Sequence, residues 1–226
     1  MLYKQTSFAH VTGKQEKQRY NFLWPQVSLG LLKSTIMSET KDNLLAEINI
    51  PATESFALLD TLDAADHRYI KDLKINVSNA LRAQTLTEKE ALLLALAVSV
   101  NQKHTRTIDS ITELATSKGA TAAEINEIHA LVSLLNANNI FYRFKHMVDK
   151  EYYNTAPAGI RMSIMMNPVL GKEFFELASL TVSAINGCEM CVTSHEQSVK
   201  NHGATEARIL DAIRLTAIIK SLIVLL

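Results

Sequence analysis

The chain has two cysteines in 226 residues, Cys188 and Cys191, and both fall within SAINGCEMCVTSHEQ (183–197). Thiols at i and i+3 share one face of a helix and can close a disulfide across a single turn. His195 stands four residues after Cys191 and seven after Cys188. At 100° per residue all three fall within about 60° of one another. Gly187, just before the pair, predicts that the motif opens a helix, where backbone N–H groups lower a thiol's pKa. A thiolate is the species that attacks a peroxide or a disulfide. A histidine in register can take or return the proton near neutral pH.

Spacing alone leaves other readings open. Cysteines also serve as small buried hydrophobes. With His195 and His202 the pair would supply four zinc ligands, but ligands from nearly one face of one helix cannot wrap a tetrahedron. Redox or nucleophilic dithiol chemistry is the reading that uses Cys188, Cys191 and His195 together.

The elements that must position these residues read as helices. Glycine and proline are sparse, at 7 and 4, and no strand-like alternation persists over several segments. KDNLLAEI opens a short helix before Pro51. TEKEALLLALAVSVN carries Thr87 as N-cap with Glu90 three residues on, a capping box, and Thr121 with Glu124 repeats the signature. Gly119 and Gly203 act as helix stops. The expectation is an all-α protein of about nine or ten helices. Met162, Met165 and Met166 read as gap-filling core, and NNIFYR (138–143) as a packing and turn element.

An internal echo runs through the chain. KEALLLALAVSVN…ITELATSKGATAAEI resembles KEFFELASLTVSAIN…HEQSVKNHGATEARI. Lys89-Glu90 matches Lys172-Glu173 at an offset of 83, and the GAT of Gly119 matches that of Gly203 at 84. The expected pseudo-repeats span about 87–135 and 170–220, and each can bury the apolar face of the other. The first carries His104 and Thr107 where the second has Cys188 and Cys191. One copy thus reads as built for thiol chemistry and the other for packing.

Formal net charge is zero, which leaves no electrostatic footprint for nucleic acid or an anionic membrane. Two cysteines are too few for a disulfide scaffold, so the expected setting is intracellular and cytoplasmic. The apolar C-terminal AIRLTAIIKSLIVLL is interrupted by Arg214 and Lys220 and reads as a buried or interface-facing helix, not a membrane span. Residues 1–36 carry five basic residues against one acidic. They read as a basic N-terminal extension, disordered or reflecting an upstream start, with the domain proper at 37–226.

IRMSIMMNP (160–168), FFEL (174–177) and SAINGCEMCVTSHE (183–196) together resemble the AhpD alkylhydroperoxidase family, within the carboxymuconolactone-decarboxylase-like superfamily. YIKDLKINVSN (69–79) and NNIFYRFKHM (138–147) resemble it in the same order. The resemblance implies an all-helical fold with a duplicated core and a lipoyl-dependent alkyl hydroperoxidase that also reduces an AhpC-type peroxiredoxin. It assigns Cys191 as the peroxide-reacting thiol that becomes a sulfenic acid, and Cys188 as the resolving thiol and proton donor that forms the disulfide with it. Dihydrolipoamide, borne by a 2-oxo-acid dehydrogenase component, is the implied electron donor, with no tightly bound cofactor and no metal. Glu176, twelve residues before the first cysteine, and His195 are the implied proton relay. A carboxylate inside the apolar FFELASL run needs a partner or neutralises, which suits that role. A homo-oligomer, plausibly a trimer, is also implied.

The chain departs from the family pattern at Met190, where well-studied members carry a histidine between the cysteines. A thioether carries no titrating proton, so the alternative function is a redox adaptor. It would move electrons from dihydrolipoamide to a peroxiredoxin, with little peroxidase activity of its own. A decarboxylase or lactonase reading is weakened because those superfamily members lack this dithiol.

Overall fold

The computed structural model describes residues 39–226, so the expected 1–36 extension and the start at Met37 lie outside the described residues. Among these, every regular element is helical: α1 (39–46), α2 (Ala57–Ala64), α3 (Arg68–Leu81), α4 (Glu88–Asn101), α5 (Thr105–Ser117), α6 (Ala122–Val148), α7 (Glu151–Thr155), a 3₁₀ turn at Ser163–Met165, α8 (Lys172–Ile185), α9 (Glu189–Asn201) and α10 (Glu206–Ile223). This is the all-α class that the sequence predicts.

The sequence explains where the helices start. Thr87 and Thr121 each accept a hydrogen bond from the backbone N–H of Glu90 and Glu124, and each glutamate reaches back to its threonine N–H. Both capping boxes satisfy N–H groups that a helix start otherwise leaves unpaired. Thr205 caps α10 through Arg208 N.

α4 and α8 form the centre. Ala91 through Ser99 of α4 and Phe174 through Ser183 of α8 are buried without interruption. A helix apolar all round must be covered all round. α4 packs on α5, α6, α8 and α10, and α8 packs on α6, α9 and α10. α10 lays Ile209, Ala212, Leu215, Ile219 and Leu222 into this core. Among the described residues no helix is long and apolar enough to cross a membrane.

The bounds of α4 and α8, of α5 and α9, and the starts of α6 and α10 lie 84 residues apart. That register pairs Lys89 with Glu173, not with Lys172, so the offset of 83 read from Lys89-Glu90 is one residue out. The ion pairs follow the same register with reversed signs. Lys89 of α4 contacts Glu124 of α6 at 2.7 Å, and Glu173 of α8 contacts Arg208 of α10 at 2.8 Å. Arg208 does more than its counterpart. It also reaches Glu90 at 2.5 Å and donates to the Thr85 carbonyl at 2.6 Å, tying α4, α8 and α10 together.

The segment between α7 and α8 is held by side chains. The Glu127 carboxylate accepts from Val169 N and Leu170 N at 2.8 and 2.6 Å, and Lys172 Nζ donates to the Met165 carbonyl. These contacts fix the course of residues 162–170.

Candidate active site

The turn from α8 into α9 is anchored before it presents its thiols. Gly187 adopts φ of +68°, a left-handed conformation open to glycine without side-chain strain. Asn186 is held from three sides. Its Nδ2 donates to Asn139 Oδ1 at 2.9 Å, its Oδ1 accepts from Asn101 Nδ2 at 3.0 Å, and its carbonyl accepts from Arg143 at 2.6 Å. Asn139 Nδ2 in turn donates to Ser183 Oγ at 3.0 Å. The turn is thereby fixed to α4 and α6.

Cys188 is the N-cap of α9, and Cys191 lies in the first turn. Their sulfurs are joined in a disulfide across Cα atoms 5.2 Å apart. Cys191 N donates to Cys188 Sγ at 3.4 Å. At the matching position 84 residues earlier, His104 caps α5 and its Nδ1 accepts from Thr107 N at 3.4 Å. Sulfur and imidazole nitrogen thus fill the same helix-start position.

His195 and Glu176 meet across the α8–α9 packing. His195 Nδ1–H donates to Glu176 Oε2 at 2.7 Å, with both side chains largely buried. Burial pushes the Glu176 carboxyl up. The hydrogen bond and charge of His195, the charge of Lys172 and a hydrogen bond from Ser198 outweigh it and hold the group below its ordinary range. An ionised Glu176 fixes the proton on Nδ1 and leaves Nε2 free to exchange a proton.

A pocket of about 380 Å³ opens beside these groups. Cys191 and His195 line it together with Ser194 and Met190 of α9. α6 contributes Asn138 and Tyr142, and the 162–170 segment contributes Met162 and Met165. Cys188 is fully buried and is not part of this lining. The structure therefore brings Cys188, Cys191, His195 and Glu176 together and places Cys191, not Cys188, on the pocket wall. His202 lies at the far end of α9, with Nδ1 2.8 Å from the Ser198 carbonyl oxygen. Among the described residues no cluster of three or more His, Cys, Asp or Glu is placed to hold a metal.

Two readings need correction here. Met162 and Met165 are half-buried pocket walls and Met166 is exposed; of the three only Met165 also packs against the core. NNIFYR is not a turn; it lies inside the 27-residue α6. Asn138, Tyr142 and Arg143 fall inside the NNIFYRFKHM stretch that carries part of the resemblance, but no site role for them is legible in the sequence.

A family model for the carboxymuconolactone decarboxylase family matches residues 152–222. Three curated relatives share the name alkyl hydroperoxide reductase AhpD. The protein from Beijerinckia indica subsp. indica is 38% identical over 72% of this chain and 90% of its own length. That from Anaeromyxobacter dehalogenans is 35% identical over 72% and 87%. That from Azorhizobium caulinodans is 37% identical over 68% and 84%. The chain belongs to the AhpD family. Its match to these AhpD proteins covers most of their length, and the CxxC, His195 and Glu176 all sit within the all-helical body described above.

Proposed function

We propose that this chain is a dithiol alkyl hydroperoxide reductase. The supporting observation is that Cys191 shares a pocket wall with His195 while Cys188 is buried behind it. The names of its AhpD relatives support peroxide reduction. The Cys191 thiolate attacks the distal oxygen of a hydroperoxide. The O–O bond breaks, Cys191 becomes a sulfenic acid, and the alkoxide takes a proton from His195 to leave as an alcohol. Cys188 then attacks the sulfenic sulfur, water leaves, and the Cys188–Cys191 disulfide forms.

Dihydrolipoamide, carried on a 2-oxo-acid dehydrogenase component, restores the dithiol. One lipoyl thiolate enters the pocket, attacks Cys191 on its wall and expels Cys188 as a thiolate, which the N–H at the start of α9 stabilises. The second lipoyl thiol closes the lipoyl disulfide and frees Cys191. By the same exchange the reduced pair passes electrons to the oxidised cysteines of an AhpC-type peroxiredoxin.

Met190 on the pocket wall favours the second reading, a redox adaptor with little peroxidase activity of its own. One assay separates the two readings. Dihydrolipoamide oxidation is followed with cumene hydroperoxide alone, then with an AhpC-type peroxiredoxin added. Turnover without the peroxiredoxin supports the reductase. Turnover only in its presence supports the adaptor, and none in either case overturns both.

A further inference from the structure

Asn138 and Asn139 are adjacent on α6 and both are buried, at 5% and 1% exposed. Asn139 uses both ends of its amide, in bonds to Ser183 and Asn186. Asn138 uses one end. Its Nδ2 donates to Met162 Sδ at 3.2 Å, and its Oδ1 is buried with no hydrogen-bond partner among the described residues. A buried carbonyl oxygen without a donor is costly, and such groups are rare enough to need a reason. Here the residue lines the same pocket as Cys191.

The donors already on that wall do not supply the missing bond. A hydroperoxide does, because its terminal O–H is a donor and its other end is an organic group. The pocket suits both ends, with Asn138 beside a wall of thioethers from Met162, Met165 and Met190. Thioethers are apolar, flexible and polarisable, and they adapt to irregular organic surfaces. We propose that Asn138 is a substrate-positioning residue: its Oδ1 accepts the O–H of an organic hydroperoxide whose organic group lies on the three methionines, setting the terminal oxygen against Cys191.

This rests on the hydroperoxide reading above. The substrate reaches Asn138 from the pocket beside Met162, an unbranched side chain held to Asn138 Nδ2 by one weak N–H···S contact and free to yield to it. The chemical step is unchanged. The O–O bond breaks, the O–H oxygen moves to Cys191 with its hydrogen still donated to Oδ1, and the organic oxygen leaves protonated by His195. Asn138 thus holds the substrate before the step and the sulfenic acid after it.

The test is rapid-mixing oxidation of the reduced full-length protein by two reagents, cumene hydroperoxide and the aromatic disulfide dithiodipyridine. Both consume the same dithiol, and only the first has an O–H to donate. Asn138→Leu keeps the size of the side chain and removes the acceptor; Asn138→Ala does so with less bulk. Both variants are expected to react about tenfold more slowly with cumene hydroperoxide, the worth of one hydrogen bond, and at the wild-type rate with dithiodipyridine. An unchanged hydroperoxide rate in either folded variant would overturn the proposal. So would an equal loss with both reagents, which is the signature of a packing role. A wild-type protein that reacts with the hydroperoxide no faster than a free thiol sinks the parent reading and this one together. A fast wild type with equally fast variants sinks this one alone.

Discussion

His195 Nδ1 lies 2.7 Å from Glu176 Oε2, a bond that joins α9 to α8 beside the wall where Cys191 meets the pocket. A carboxylate held below its ordinary value of 4.5 is ionised throughout the neutral range. The imidazole therefore keeps one fixed proton and one exchangeable site.

His195→Gln and Glu176→Gln are each expected to slow hydroperoxide consumption by about 100-fold, the lower end of general acid–base assistance. The pH profile carries the sign. Glu176 has a depressed pKa, so its contribution is present above the ordinary carboxylate value and is lost as pH falls through the folded one. The wild-type rate should hold through neutral pH and drop on the acid side, while Glu176→Gln lacks that acid limb. Wild-type rates in both variants at every pH would leave the pair a structural contact only.

Met190→His adds a titrating group on the pocket wall between the two thiols. The expected outcome is a faster reaction of the reduced protein with cumene hydroperoxide, most clearly near neutral pH. A slower or equal rate would show that the thioether, not a missing proton carrier, suits this site.

Arg208 and Lys89 occupy matching places in the two halves, and their removal should differ. Lys89→Leu breaks one partly exposed pair and should cost about 0.5 kcal/mol. Arg208→Leu leaves Glu90 and Glu173 without their shared cation, both half-buried, and should cost about 2 kcal/mol in denaturant unfolding at pH 7, between the exposed and fully buried cases. Burial pushes Glu90 up, but Arg208 and Thr87 hold it below its ordinary value of 4.5. Its stabilising contribution is therefore present above that value and fades as pH falls through the folded one. The gap between wild type and Arg208→Leu should close on acidification below 4.5. A gap independent of pH would mean that the loss comes from packing.

Much of this site is legible along the chain, because its chemistry is local. Cys188, Cys191 and His195 share one helix, and Gly187 and the threonine caps mark where the helices begin. Glu176 came from resemblance. Its contact with His195 crosses between two helices, and no one-helix periodicity encodes that. Asn138, Met162 and Met165 were out of reach for the same reason. Asn138 reaches the Cys191 pocket from α6, and Met162 and Met165 line it because Glu127 and Lys172 hold the 162–170 segment in place. In sequence these methionines look like ordinary apolar filling, since nothing in a thioether's neighbours along the chain says which space it faces. The turn half of the NNIFYR reading fails because the packing of α6 on α4, α8 and α9 overrides the preference of asparagine for turns, while the packing half agrees with the buried Asn138 and Asn139.

Gly187→Val should lower stability by about 1–2 kcal/mol, the cost of a left-handed backbone for a residue with a Cβ. A Cβ built there meets nothing within 4 Å, so the loss is conformational. Lys103, at the matching position, already holds φ of +56°, and Gly187→Asn should therefore be milder than Gly187→Val in thermal unfolding.

The start of α9 is capped by a sulfur, and the start of α5 by a ring nitrogen in the same place. A lone pair in that position is all the helix asks for, and Cys188 offers one whether free or bonded to Cys191. On the dithiol reading proposed above, opening the disulfide would leave the α9 cap in place, so electrons would enter and leave without any helix melting or re-forming. The pace of such a cycle would then fall to encounters at the pocket and proton movements inside it.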